Sequence, residues 1–174
     1  VAVIGYLDQG GKGIIQASLD SGAFDKFILS DGMIGQSLVD AFGKDLNKSF
    51  GSMPGSTGKG AGVFSEVAKA SGIDSSGPYT GESYDAAALI VLAMALGGSD
   101  DSATVAANIM TVANGPGTKI YAGELAKGLE LASAGFAVDY DGATDVNFTD
   151  VGEAFGAFIE KGIEGGAFTD AAQR

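Results

Sequence analysis

Two polar side chains follow short apolar stretches of the chain, at positions where a ligand could be bound. Tyr6 ends the stretch at 1–6, and Asp31 comes shortly after the stretch at 27–29. Each stretch precedes a predicted helix, so both are predicted to be parallel strands of an α/β sheet. Ligands bind outside the carboxyl ends of strands in such sheets, where helix N termini add partial positive charge. Tyr6 and Asp31 are therefore candidates for binding a polar ligand.

The residue types that the chain lacks exclude much of enzyme chemistry. Its 174 residues include no histidine and no cysteine, which excludes Ser-His-Asp and Cys-His catalysis, thiolate zinc sites and disulfides. No pair among its 22 acidic residues has a spacing that singles it out for acid–base catalysis. A net charge of −12 disfavours nucleic acid and anionic membranes as partners.

Apolar spacing and glycine positions predict an α/β fold. The two strands are each followed by a helix, at 14–21 and at 36–46. The glycine-rich segment at 51–62 is predicted to be a flexible connection. Further helices are predicted at 63–70, 84–96, 103–113 and 122–134, and strands at 146–148 and 155–160 before a turn at Gly165-Gly166.

The helix at 84–96 has a polar start and an apolar body. All residues from Ala86 to Leu96 are apolar, whereas a surface helix would show a polar stripe at the helical period. We therefore predict that this helix is buried on every side. The acidic tract at 139–145 is predicted to be a solvated turn rather than a calcium loop, because Thr144 and Asp150 stand where such a loop needs glycine and glutamate.

Four elements of the chain together resemble one protein family. They are Gly5-Tyr6, Ser30-Asp31-Gly32, Pro78-Tyr79 shortly before Tyr84-Asp85-Ala86, and Tyr140-Asp141-Gly142-Ala143 before Val146-Asn147-Phe148. This set resembles the substrate-binding proteins of branched-chain amino-acid ABC transporters, which are periplasmic binding proteins of type I. The resemblance runs over nearly the whole chain but matches only the C-terminal half of the family's mature sequence. The Ser-Gly that often follows the last element in the family is absent here.

The resemblance implies a two-lobed α/β protein, with parallel sheets flanked by helices, that captures a ligand without chemistry. The ligand would be an amino acid or amide, and the protein would need no cofactor and no metal. The protein would be located in the bacterial periplasm, and its partner would be an ABC permease of the inner membrane. Residues 1–53 would belong to lobe 2, residues 54–134 to lobe 1, and residues 135–174 would cross over and return to lobe 2. Neither lobe would be complete, so we expect these residues to belong to a longer protein with an N-terminal half, or to pair with a second fragment.

The resemblance also implies three ligand-binding residues. Asp31 would accept charge-assisted hydrogen bonds from an ammonium group, Tyr6 would offer a hydroxyl and a ring face, and Tyr79 would form part of the pocket wall. Each has a simpler structural alternative. Tyr6 could be an ordinary half-buried strand-end residue, Asp31 could cap a helix or stabilise its turn, and Tyr79 could fix its loop to the next helix.

Two other functions stay open from the sequence. The same fold could serve as a ligand-sensing regulatory domain that signals to a partner instead of feeding a permease. An α/β enzyme acting through carboxylates is the third possibility, without positive support beyond the acidic residues.

Overall fold

A computed structural model describes residues 1–173, which form two compact units. The first unit combines Val1–Pro54 with the segment from Ala157 onward, and the second comprises Gly55–Gly156. The chain therefore leaves the first unit once and returns to it. Assigning these units to the lobes of a two-lobed protein stays a prediction.

The first unit contains a five-stranded sheet and two helices. The strands are β1 (Ala2–Val3), β2 (Ile28–Leu29), β3 (Phe50–Pro54), β8 (Phe158–Glu164) and β9 (Ala167–Gln173), and the helices are α1 (Lys12–Ser21) and α2 (Gln36–Phe42). The sheet order is β1-β2-β3-β8-β9. The strands β1, β2 and β3 are parallel to one another, β8 is antiparallel to β3, and β9 is antiparallel to β8. The predicted βα repeat is confirmed here, although the first strand is shorter than predicted.

The core of the first unit lies on one face of this sheet. Side chains from the strands, from α1 and from α2 form a single buried cluster that includes Val3, Leu29, Ile15 and Leu38. α1 ends at Gly22, which adopts the left-handed conformation at φ 67° as predicted for a helix stop. α2 ends four residues earlier than predicted, because Gly43 has φ 51° and a separate helical turn follows at Gly43–Leu46.

The second unit consists of helices around a small parallel sheet. Its helices are α3 (Lys59–Ala70), α4 (Thr80–Gly97), α5 (Ser102–Ala113) and α6 (Leu125–Ser133), and its strands are β4 (Thr118–Tyr121), β5 (Val138–Gly142), β6 (Asn147–Phe148) and β7 (Ala154–Phe155). β4 pairs in parallel with β5, and β6 pairs with β7. The predicted helix at 103–113 and the late strand at 146–148 are confirmed, whereas the strand predicted at 155–160 is divided between β7 and β8.

Three sequence predictions are wrong. Residues 51–54 belong to β3 rather than to a flexible connection, and Met53 is buried. The segment predicted as a helix at 122–134 starts only at Leu125, after the unpredicted strand β4. The acidic tract predicted as a solvated turn contains β5, where Tyr140 is fully buried.

The prediction that the apolar helix is buried on every side is also wrong. In α4, Ala88, Leu89 and Leu92 are buried, whereas Ala87 and Ile90 are exposed. These two exposed positions lie three residues apart and therefore share one helix face. Among residues 1–173 no single helix has the length and composition to span a membrane, while α4 and α5, which meet at a bend of 106°, satisfy that test only as a pair.

Candidate functional site

Tyr6 lies three residues beyond the carboxyl end of β1, because that strand ends at Val3 rather than at Tyr6. Its carbonyl oxygen accepts hydrogen bonds from the backbone N–H groups of Gln9 at 3.2 Å and Gly11 at 3.1 Å. These bonds fold residues 7–11 into a turn that leads into α1. The Tyr6 side chain is 62% exposed, so the predicted alternative of a half-buried strand-end residue does not describe it.

Asp31 occupies the corresponding position after β2. It begins a single helical turn, Asp31–Met33, in which the Met33 side chain is fully buried. Its carboxylate oxygen Oδ1 accepts a hydrogen bond from the backbone N–H of Gly32 at 2.7 Å. Asp31 therefore has the turn-stabilising role that was one of its two interpretations, and it is half-buried at the edge of the sheet.

The structure brings Tyr6 and Asp31 together at one edge of the first unit. A Cβ atom at Gly32 would lie 2.7 Å from Cδ1 of Tyr6, so the tyrosine ring lies against the residue that follows Asp31. Ser30 connects the two loops, because its hydroxyl accepts from the N–H of Gly5 and donates to the carbonyl of Gly5, both at 3.2 Å. This edge thus places the Tyr6 ring against Gly32, the residue whose N–H binds the Asp31 carboxylate.

Tyr79 lies in the second unit, at the start of α4. Its backbone adopts the left-handed conformation at φ 66°, which is uncommon for a residue with a side chain. Its side chain lines a cavity of about 390 Å³ between α3 and the start of α4. The other lining residues are Phe64, Val67, Ala68, Ser71, Ile73, Pro78, Thr80, Ser83 and Tyr84. Tyr79 is therefore part of a cavity wall, as well as the residue that precedes the helix.

The wall of this cavity is mainly apolar. Phe64 and Tyr84 pack as a tilted aromatic pair with ring centroids 5.3 Å apart. The Thr80 hydroxyl donates to the carbonyls of Ser75 and Gly77 at 3.0 Å, and the Ser71 hydroxyl donates to the Val67 carbonyl at 3.0 Å. Because these hydroxyls are paired with the backbone, the cavity offers mainly apolar surface to a ligand. Sequence reasoning predicted the helices but not which of their residues face each other.

Asp85 is a buried residue whose carboxylate is a hub, meaning that it accepts hydrogen bonds from several residues at once. The sequence did not reveal this full set of contacts. Its carboxylate accepts from the Tyr140 hydroxyl at 2.8 Å, from the Ala143 N–H at 2.7 Å, and from both the N–H and the hydroxyl of Thr144 at 2.8 and 2.7 Å. Burial and the Asp85 carboxylate raise the pKa of the Tyr140 hydroxyl above its ordinary value. Two of the four elements that carry the resemblance, Tyr84-Asp85-Ala86 and Tyr140-Asp141-Gly142-Ala143, therefore meet in space and fix α4 to the end of β5.

Two carboxylates of the acidic tract form ion pairs with a lysine side chain. Nζ of Lys119 lies 2.8 Å from both carboxylate oxygens of Asp141 and 3.1 Å from Oδ2 of Asp139. The hydrogen bonds to Asp141 and then Asp139 raise the pKa of Lys119. Within residues 1–173 no group of three or more acidic side chains is arranged to hold a metal ion.

Comparison with known proteins gives one sequence relative and structural neighbours with one fold. No protein-family model matches the chain. Over 67 residues, 38% of this chain and 16% of the relative, it is 39% identical to the chemotactic signal transduction system substrate-binding protein BasB of Halobacterium salinarum. The structure is similar to the leucine binding protein LivK of Thermotoga maritima, with a TM-score of 0.66 and 17% identity over 99% of this chain and 43% of LivK. It is similar to a periplasmic binding protein type 1 of Bordetella pertussis, with a TM-score of 0.65 and 17% identity over 98% of this chain and 45% of that protein.

These matches establish the fold. The chain has the α/β fold of type 1 periplasmic binding proteins, so the resemblance found in the sequence is confirmed at the level of fold. The matched region covers less than half of each of the three proteins.

Proposed function

From this fold, we propose that the protein is the extracytoplasmic solute-binding component of an ABC importer and binds an amino acid or a related small polar molecule. The observation that carries this proposal is the pairing of Tyr6 and Asp31 at the carboxyl edge of the parallel strands in the first unit. This edge is where open α/β sheets bind their ligands.

The two side chains have complementary roles in this proposal. The Asp31 carboxylate accepts charge-assisted hydrogen bonds from the ligand's ammonium or amide N–H groups. The Tyr6 ring covers the apolar part of the ligand, and its hydroxyl offers a further hydrogen bond. A role for Tyr79 in ligand binding stays a prediction, and within the second unit its side chain lines the apolar cavity. The ligand's carboxylate would be bound by residues outside this chain.

Binding in this proposal occurs without turnover, cofactor or metal. The chain's lack of histidine and cysteine excludes the commonest nucleophile–base pairs. The partners are the small ligand, a permease of the inner membrane and the remainder of a longer polypeptide. The proposed location is the bacterial periplasm, which the fold of the structural neighbours supports.

Calorimetry on the complete gene product tests the proposal. Amino acids, short amides and simple carboxylates are titrated in turn, and we expect binding only by ligands with an ammonium or amide donor. Asp31→Ala should weaken this binding by about 3–5 kcal/mol, the range for removing one partner of a buried charged pair. Asp40→Ala is the matched control, since Asp40 is an exposed carboxylate of the same unit on α2. Equal affinities of the two variants would remove Asp31 from the site.

A second function is favoured by the sequence relative. BasB is a substrate-binding protein of a chemotactic signal transduction system, so a sensory partner in place of a permease is the alternative. Deleting the gene separates the two functions. Loss of uptake of the bound ligand supports the importer, whereas normal uptake with a lost behavioural or transcriptional response to that ligand supports the sensor.

A further inference from the structure

Two loops of the first unit approach each other closely at Gly32. The first loop leads from β1 into α1 and carries Tyr6, and the second begins after β2 and carries Asp31. A Cβ atom at Gly32 would lie 2.6 Å from the carbonyl oxygen of Gly5 and 2.7 Å from Cδ1 of Tyr6. Real Cβ atoms essentially never have contacts this short, so no side chain fits at Gly32 while the Tyr6 ring keeps its position.

Space, and not backbone conformation, is the reason for glycine at this position. Gly32 lies in the helical turn Asp31–Met33, outside the left-handed region, in a conformation that residues with side chains adopt freely. Gly10 in the first loop is the opposite case, because its φ is 101° and a Cβ atom there would meet nothing within 4 Å. Glycine at Gly32 therefore serves the close approach of the two loops.

Gly32 also contacts the carboxylate of the candidate site. Its N–H donates to Oδ1 of Asp31 at 2.7 Å. The Gly5 carbonyl that faces its Cα atom is held in turn by the Ser30 hydroxyl, which donates to it at 3.2 Å. The next residue, Met33, is fully buried and anchors the turn in the core. One residue on an anchored turn thus touches both the aromatic ring and the carboxylate.

We propose that Gly32 is a positioning residue of the ligand site. The proposal rests on the proposed function, in which Tyr6 and Asp31 bind the ligand. The missing side chain of Gly32 lets the Tyr6 ring lie against the turn, and its N–H orients the Asp31 carboxylate. Because the Tyr6 ring is 62% exposed, a side chain added at Gly32 would displace the ring rather than the buried turn. Groups that are already oriented before binding cost less to order when the ligand arrives.

A double-mutant cycle on the complete gene product tests the positioning role. Calorimetry uses as its probe the best-bound member of a panel of the twenty common amino acids. Gly32→Ala keeps the N–H that bonds to Asp31 and adds one methyl group, and we expect it to weaken binding roughly tenfold. In a Tyr6→Ala background the same substitution should weaken binding less than about twofold, because no ring is left to displace.

Gly13→Ala is the matched control for this cycle. Gly13 lies on α1 of the same unit, and a Cβ atom there would meet nothing within 4 Å. This variant also replaces glycine by alanine but should leave the affinity for the probe amino acid unchanged. An equal loss of affinity from Gly32→Ala in the parent and in the Tyr6→Ala background would overturn the inference.

A measurement without ligand shows whether the ring itself moves. Fluorotyrosine is incorporated into the complete gene product, and Tyr6→Phe identifies the fluorine NMR resonance of Tyr6. Gly32→Ala should shift this resonance, whereas Gly13→Ala should not. An unchanged Tyr6 resonance in Gly32→Ala would overturn the inference.

Two further outcomes are decisive. If Gly32→Ala does not fold, folding of the double variant Tyr6→Ala/Gly32→Ala supports the inference, and failure of the double variant to fold overturns it. A parent protein that binds no amino acid overturns the proposed function and the positioning role with it. That result is seen before any variant is compared, so it is distinguishable from a failure of the Gly32 inference alone.

Discussion

The two units place their carboxylates in opposite ways. In the second unit, Asp85 is 2% exposed and accepts four hydrogen bonds, and Asp139 and Asp141 share the ammonium of Lys119. In the first unit, Asp31 lies half-buried at the edge of the sheet, beside an exposed tyrosine ring. The same residue type thus holds elements together in one unit and stands at a predicted ligand edge in the other.

This difference shows why sequence alone cannot tell which acidic residues of a chain with a net charge of −12 bind a ligand and which stabilise the fold. A carboxylate surrounded by donors from its own unit is stabilised as part of the fold, since each buried donor needs a partner. A carboxylate on an edge loop can exchange water for a ligand. Substitutions in the two units should therefore separate stability from binding.

Asp85→Ala should give the largest loss of stability. The substitution leaves the Tyr140 hydroxyl, two backbone N–H groups and the Thr144 hydroxyl without their acceptor. We expect the free energy of unfolding to fall by about 3–5 kcal/mol, as for the removal of a buried charged hydrogen-bonding partner. Urea denaturation followed by circular dichroism measures this loss. A fall of less than about 1 kcal/mol would contradict the role of Asp85 as a hub.

Tyr140→Phe should give a smaller loss that depends on pH. Near neutral pH the variant lacks one buried hydrogen bond to Asp85 and should be less stable by about 1–1.5 kcal/mol. The raised pKa of Tyr140 keeps the hydroxyl protonated in the folded protein, so its contribution is fully present below the unfolded pKa of about 10 and is lost as the pH rises above it.

The pH dependence gives the Tyr140 experiment its control. Above about pH 10 the unfolded parent protein ionises this tyrosine, so its stability should fall relative to the variant by up to about 1.4 kcal/mol per pH unit. The pKa of Lys119 is also raised, so its contribution to the free energy of unfolding also falls as the pH rises. Because Lys119 is present in both proteins, this contribution cancels when the stability of the variant is subtracted from that of the parent. A stability difference that stays constant between pH 8 and 11 would contradict the buried Tyr140–Asp85 bond.

Local patterns predicted the helices better than the strands. The helix at 103–113 and the stop at Gly22 follow from apolar spacing and glycine placement, which a single sequence displays. β3 was missed because its glycine and proline resemble a linker. A Cβ atom at Gly51 would lie 2.4 Å from the Leu29 carbonyl oxygen, so the close approach of β2 requires glycine there.

Contacts between distant residues were beyond sequence reasoning. β5 contains two aspartates, and the Lys119 ammonium from the neighbouring strand compensates their charge in this largely buried strand. The positions of Tyr6 and Asp31 at one edge followed from the βα pattern, whereas the cavity around Tyr79 depends on which faces of α3 and α4 meet. The exposed face of α4 was missed because an apolar pattern specifies what a helix can bury, not which neighbours are present.

Asp31→Asn should have the smallest effect on stability and so give the sharpest contrast with Asp85. The substitution keeps an oxygen that can accept from the Gly32 N–H and removes only the charge. We expect the free energy of unfolding to change by less than about 1 kcal/mol, since half-exposed edge positions seldom contribute more. Binding of an amino acid with an ammonium group should nevertheless weaken at least about tenfold, because a charged hydrogen bond becomes a neutral one. Parallel urea denaturation and calorimetry on this variant and on Asp85→Asn would show whether the two carboxylates divide stability and binding between them. A large loss of stability in Asp31→Asn would mean that both units use their carboxylates in the same way.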